Sequence, residues 1–183
     1  MKNALTIMVL TLYLCHAKAQ VFISSSSKIS FSAETSMENI EAKNVKSSSM
    51  LNTKANQLVF QIPIRAFKFE KNLMEEHFNE NYLESEKYPK ASFNGNINEE
   101  VDLSKDGTYE VTATGKLLIH GVEKERTLSG IIVKRGNEIS VTGEFKIKLA
   151  DHQIKIPKVV IANIPEEIDV KVSVVYKPYE KKK

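Results

Sequence analysis

The sequence is poor in cysteine and in tryptophan: one cysteine and no tryptophan occur among its 183 residues. The single cysteine, Cys15, lies close to the N-terminus, inside a segment with the features of a removable export signal. If that segment is cleaved after Ala19, the rest of the chain contains no cysteine. A disulfide framework and thiol-based catalysis are then both excluded for the mature protein.

The N-terminal segment predicts export. Lys2 supplies a positive charge, residues 4–14 are uncharged, and Ala17 and Ala19 place small residues where a signal peptidase reads them. The apolar run is about 11 residues long, whereas a membrane-spanning helix needs about 20. We predict a cleavable signal over residues 1–19, one domain over residues 20–183, and a periplasmic or secreted location. A buried first strand and a lipid anchor at Cys15 are weaker interpretations, because Leu14 is large where a lipoprotein signal has a small residue.

The predicted mature chain has almost no net charge. Removing Lys2 and Lys18 from the 26 basic residues leaves 24, against 23 acidic residues. No basic stripe with interleaved aromatic residues is present, so we expect no nucleic-acid partner. Residues 181–183 are three lysines, typical of a solvated terminus; a transient membrane-surface contact is the alternative interpretation. Composition does not determine the oligomeric state.

Motifs for catalysis and metal binding are missing. The histidines after the signal are His77, His120 and His152, and no H-x-x-x-H or H-E-x-x-H spacing occurs. The sequence also has no G-x-S-x-G motif, phosphate-binding loop or dinucleotide-type glycine pattern. We therefore predict no catalytic residues, no metal and no enzyme activity. A metal site built from all three histidines remains open, because their distances in space are unknown.

Alternation of apolar and polar residues predicts seven or more antiparallel strands, forming an all-β sandwich or closed barrel. Pro63 indicates an edge, bulge or bend in one strand, and residues 135–137 predict a hairpin turn. Other turn signals lie at 106–107, 120–121 and 162–165. The alternating runs are 28–33, 58–64 with continuation to 67 and 69, 93–97, 109–119, 128–132, 139–149 and 168–176.

One helix is predicted, over about residues 70–84, because Met74, Phe78 and Tyr82 recur at helical spacing. Glycines also interrupt the predicted strands. A glycine within a strand permits sharp bending or leaves interior space, so several together favour a curved barrel around something, with simple bulges as the alternative. These glycines are residues 95, 115, 130 and 143.

Four segments resemble the YceI-like family in sequence and in order: residues 75–83, 88–95, 115–122 and 145–157. The resemblance implies an extended, lipocalin-like antiparallel β-barrel of about eight strands with one short helix, wrapped around a hydrophobic tunnel. It also implies an exported, non-catalytic protein that holds a polyisoprenoid-type lipid, such as a quinone or its precursor. The serine-rich segment 34–56 departs from the family pattern, so the strand count there stays open.

A tunnel of this kind needs apolar walls and no directed hydrogen bond, because each methylene removed from water contributes about 0.8 kcal/mol. His120 is a candidate polar group at the pocket mouth, or else a turn histidine bonded to local backbone. The alternative function is a secreted structural or stress-related barrel with a filled core and no ligand. The predicted lining residues are Phe31, Phe60, Ile62, Phe67, Phe69, Phe93, Leu117, Ile119, Phe145, Ile147, Val170, Val172 and Val174.

Overall fold

The computed structural model describes residues 21–34, 39–156 and 165–180. The predicted signal with Cys15, the three terminal lysines and most of the turn predicted at 162–165 lie outside the described residues. Ten strands follow one another in the described chain: β1 (Val21–Ala33), β2 (Ile40–Asn44), β3 (Ser48–Asn52), β4 (Gln57–Pro63), β5 (Lys68–Phe69), β6 (Lys90–Ile97), β7 (Gly107–Ile119), β8 (Val122–Arg135), β9 (Glu138–Lys148) and β10 (Glu167–Pro178).

Eight of these strands form a closed antiparallel barrel, as predicted from the sequence and its resemblance. Neighbouring strands follow the order β10, β9, β8, β7, β6, β4, β3 and β1, and β1 then pairs with β10 to close the circle. The first residues of β1, Val21–Ile23, pair with β3, and residues 29–33 of the same edge pair with β2. Since β2 in turn pairs with β5, this side of the barrel is extended at one end.

The polar segment 34–56 contributes two strands, β2 and β3, for which alternation gave no clear signal. Polar residues take interior positions here: Asn44 is fully buried and Ser49 is 6% exposed. Asn44 donates a hydrogen bond from Nδ2 to the carbonyl oxygen of Pro63 (2.8 Å), and its Oδ1 accepts one from the backbone of Lys46. Buried polar groups with partners thus replace the apolar residues that normally mark a strand.

Pro63 ends β4, as its missing N–H led us to expect of a bend. A short 3₁₀ turn, Ile64–Ala66, follows, so Phe67 and Phe69 do not continue the same strand. Phe69 instead belongs to the two-residue strand β5. The predicted strand therefore divides into two elements that meet at a corner.

The predicted helix is real but shorter than the pattern indicates. An α-helix, α1 (Asn72–His77), continues as a π-helical turn, Phe78–Tyr82. Asn79 donates from its side chain to the Glu75 carbonyl oxygen (2.8 Å), while the backbone N–H of Leu83 reaches back five residues to Phe78. Glu84 then takes a left-handed conformation, φ 42°, so the helical segment ends close to residue 84, the limit predicted from the sequence.

Turns between the long strands agree with the sequence. Arg135 and Glu138 face each other across the predicted hairpin, with Gly136 at φ 54°. His120 and Gly121 form a two-residue turn between β7 and β8, both with positive φ, as hairpins of this length require. A side chain at Gly121 would also collide with the Tyr88 ring.

Two strand glycines face each other on β6 and β7. A Cβ atom added to Gly115 would lie 2.3 Å from the Gly95 Cα. The two backbones therefore approach more closely than any other residue pair would allow, consistent with the curvature expected of glycine within a strand.

One end of the barrel, which we call the closed end, is filled by side chains. Tyr176, Leu51 and Ile139 have no exposed surface there, and Val174 is 1% exposed. The hydroxyl groups of Tyr176 and Ser49 are 2.5 Å apart. Ser49 also donates to the Val59 carbonyl oxygen, so the Tyr176 hydroxyl is the donor of this pair.

Candidate functional site

The rest of the barrel interior is hollow. A cavity of about 730 Å³ extends from above the closed end to α1 and the π-helical turn. Its volume lies within the range of about 300–1,000 Å³ that is usual for ligand pockets. Among the described residues that line it, those with an ionisable nitrogen are Lys71 and His77, both at the helical segment, so the described barrel wall presents mainly apolar side chains.

Twelve of the thirteen residues predicted to line the interior do face this cavity. Val174 does not, because it packs within the closed end, where the interior is filled. Period-two alternation assigns Val170, Val172 and Val174 to one face, and it carries no information about where along the strand the hollow ends. The twelve that face the cavity are Phe31, Phe60, Ile62, Phe67, Phe69, Phe93, Leu117, Ile119, Phe145, Ile147, Val170 and Val172.

Aromatic rings close the helical end of the cavity. Phe78, on the π-helical turn, packs against Phe31, Phe67 and Phe69 with ring centroids 5.1–5.6 Å apart. Such tilted and stacked pairs stabilise beyond simple burial, by about 0.5–1.5 kcal/mol each. The four rings hold the helical segment over the barrel, and all four also line the cavity.

Sequence reasoning missed the contribution of the helix to the site. Met74, Phe78 and Tyr82 were recognised as one helical face, and all three line the cavity. An apolar helical face must be covered by something, and in a barrel protein with a single helix the barrel mouth is the available surface. Ile29 and Leu128 were also missed, although both belong to predicted alternating strands.

His120 is not a lining residue of the cavity. Its Nε2 lies 2.7 Å from the Glu84 carboxylate, its Nδ1 lies 3.2 Å from the carbonyl oxygen of His152, and its ring packs edge-on against Tyr88. The residue thus joins the β7–β8 turn to two other loops. The role of His120 as a polar group at the pocket mouth stays a prediction; in the structure its side chain is 10% exposed and contacts these neighbouring loops.

His152 is fully buried and lies beside this turn. Its Nδ1 donates to the Val122 carbonyl oxygen at 3.1 Å, linking the 3₁₀ turn Leu149–His152 to the start of β8. Burial lowers the pKa of the His152 imidazole, and the hydrogen bond to Val122 opposes this only in part. We expect this histidine to be neutral in the folded protein.

Among residues 21–34, 39–156 and 165–180, no group of three histidine, cysteine, aspartate or glutamate side chains is close enough to hold a metal ion. Within the same ranges, no helix has the length and apolarity that a bilayer crossing requires.

A family model described as a YceI-like domain matches residues 20–176. A polyisoprenoid-binding domain from Saccharophagus degradans, implicated in plant cell wall breakdown, superposes with a TM-score of 0.74 at 15% identity, covering 88% of this chain and all of that one. BcnA of Burkholderia cenocepacia gives a TM-score of 0.71 at 18% identity, over 81% of this chain and 95% of its own. The Campylobacter jejuni YCEI protein gives 0.64 at 18% identity, over 79% and 88%. No curated protein sequence matches the chain.

Proposed function

Since the chain belongs to the YceI-like family, we propose that it is an exported, non-catalytic carrier that holds a long apolar chain of the polyisoprenoid type inside its barrel. The observation that carries this proposal is the hollow of about 730 Å³ with apolar walls. A filled core, which the structural or stress-protein alternative requires, does not describe this interior. The similarity to a polyisoprenoid-binding domain supports the choice of ligand class.

The cavity volume supports a ligand with a long apolar chain. About 730 Å³ lies in the upper part of the range that is usual for ligand pockets. Each methylene buried there contributes about 0.8 kcal/mol by area bookkeeping, of which ordering costs leave only a part as affinity. An isoprenoid lipid or quinone longer than the cavity would project from the barrel, which places its polar head in water or against a membrane surface.

The direct test is to purify the protein, extract it with organic solvent and analyse the extract by mass spectrometry. We expect an isoprenoid-type lipid in about equimolar amount, or uptake of an isoprenoid quinone by protein from which lipid has been removed. Repeated absence of lipid, both before and after incubation with quinones, would rule the carrier function out.

A matched pair of variants localises the binding to the cavity. Val172→Asp places a carboxylate in the hollow, whereas Ser173→Asp places the same group on the exposed side of the same strand. An unpaired carboxylate in an apolar cavity is costly, so we expect at least about a hundredfold loss of affinity for Val172→Asp and little change for Ser173→Asp. Circular dichroism checks that both variants fold; equal affinities in the two would contradict the proposed site.

Export is part of the proposal and has its own test. N-terminal sequencing of protein recovered from the periplasm or medium is expected to begin at Gln20. Recovery of full-length protein only in the cytoplasm would remove the export component and leave lipid binding to be judged separately.

A further inference from the structure

The barrel wall is not continuous between β8 and β9. The two strands pair from Arg135–Glu138 to Gly130–Gly143, and their ladder ends there. Residues 122–129 of β8 continue along β7, and residues 144–148 of β9 continue along β10, without pairing to each other. At about 3.3 Å per residue, the unpaired part of β9 is roughly 17 Å long.

The gap opens directly into the cavity. Leu128 and Phe145, which would face each other if the ladder continued, are both half-buried and both line the hollow. At the point where the strands separate, Gly130 and Gly143 add no side chain to the wall. Ser129 and Thr142 are exposed on the outside and still border the cavity, so only backbone separates it from an outer hollow.

Two side chains span the gap in place of the missing ladder. Arg126 donates from its guanidinium group to the Lys146 carbonyl oxygen at 2.9 Å, and lies 4.0 Å from the Asp151 carboxylate. At the far end, His152 holds the start of β8 through Val122. The Arg126 contact thus joins the two strand edges near the middle of the gap. It is made by a long, flexible side chain that is 28% exposed.

We propose that the apolar chain enters and leaves the barrel sideways through the β8–β9 gap, with Arg126 as its latch. This inference rests on the proposed carrier function. Opening the gap near its middle breaks one bond from a side chain to the backbone, whereas opening the helical end means separating Phe78 from three other aromatic rings. A side opening also lets a chain longer than the cavity stay partly inserted.

The test uses cross-links in a Cys15→Ser background, which contains no other cysteine. Thr127→Cys/Lys146→Cys would staple the two strand edges across the gap. Val133→Cys/Ser140→Cys staples the same strands where they are already paired and away from the cavity. Lys68→Cys/Glu75→Cys pins α1 to β5 at an existing contact, where Lys68 Nζ and Glu75 Oε1 are 2.5 Å apart. Each pair is joined by a short bifunctional thiol reagent with a reducible centre.

The measurement is stopped-flow association and dissociation of a fluorescent geranylgeranyl probe. We expect the gap staple to slow both rates at least about tenfold, reduction to restore them, and the other two staples to leave them within about twofold. Slowing by the helix staple alone, or no slowing by a complete gap staple, would overturn the side entrance while the carrier function stands. If even the unmodified protein takes up no probe, the carrier function fails and the entrance with it.

Arg126→Ala tests the latch without a cross-link. Losing a hydrogen bond from a charged donor across the gap should speed both association and dissociation by about tenfold. Kd should stay nearly constant, because a latch that touches no ligand affects entry and exit alike. Arg135→Ala, on the exposed β8–β9 hairpin, is the matched control. A changed Kd with unchanged rates would instead make Arg126 part of the binding surface and contradict the latch.

Discussion

The closed end and the hollow part of this barrel are built from the same strands with the same alternation, and they differ in what fills the interior. On β10, Val174 and Tyr176 pack into a filled core, while Val172 and Val170, two and four residues before Val174, face the cavity. Alternation decides which side chains point inward. Whether they meet other side chains or empty space depends on the neighbours brought in by β3 and the helical segment.

The largest expected contrast comes from removing one leucine in each region. Leu51→Ala at the closed end leaves a void in a packed core and should cost about 2–5 kcal/mol in the free energy of unfolding. Leu128→Ala enlarges a space that already exists, so we expect about 1 kcal/mol by the transfer of the lost apolar area. Denaturant titration of both variants checks this; equal costs would mean that the hollow is packed in solution.

A smaller contrast tests the hydrogen bond from Tyr176 to Ser49 at the closed end. Ser49→Ala leaves the buried Tyr176 hydroxyl without the acceptor at 2.5 Å and should cost about 1–3 kcal/mol. Tyr176→Phe should cost less, about 0.5–1.5 kcal/mol, because Ser49 keeps its bond to Val59. Burial also raises the pKa of the Tyr176 hydroxyl well above its ordinary value, so we expect it to ionise only at a higher pH than an exposed tyrosine does. If both variants unfold at the same denaturant concentration, the assigned donor is wrong.

The smallest expected effect is a pH dependence at the hollow end. Burial lowers the pKa of His152 below its usual 6.5, so the unfolded chain binds a proton before the folded one does. Stability from this group is complete above about pH 6.5 and falls as the pH drops towards the folded pKa. Asp151, Arg126 and His120 are the charged or titratable neighbours. Melting temperatures between pH 7.5 and 5 check this: His152→Gln should flatten the profile relative to wild type, and an unchanged profile would contradict the role of His152.

Much of the fold was accessible from the sequence because most interior positions are apolar and alternate regularly. β7, β9 and β10 are examples, and the hairpin at Gly136 was marked by its turn residues. β2 and β3 were not predicted, because Asn44 and Ser49 are buried polar residues whose hydrogen-bond partners lie on other elements. The helix was predicted at its place in the chain, but periodicity does not indicate that its second half, Phe78–Tyr82, is a π-helical turn.

The site could be predicted as a list of inward residues and not as a shape. Alternation does not distinguish Val172 from Val174, and nothing in β8 indicates that its ladder with β9 ends at Gly130. Pairing partners are set by the register of the whole sheet. The contacts of His120 with Glu84 and His152 could not be predicted for the same reason, since they join loops that are remote along the chain.

The pairing of β1 with β10 has a consequence for how this protein comes into being. Phe22 lies opposite Pro178 and Ser32 opposite Asp169, so the seam that closes the barrel joins the first and last described strands. The hairpins of β7, β8 and β9 can form early because their paired residues are neighbours along the chain. The β1–β10 pairing instead requires nearly the whole chain, and forming it costs the entropy of closing a long loop. Until its last strand is available, the chain cannot close the barrel. A ribosome-bound chain therefore exposes apolar residues that the finished barrel encloses.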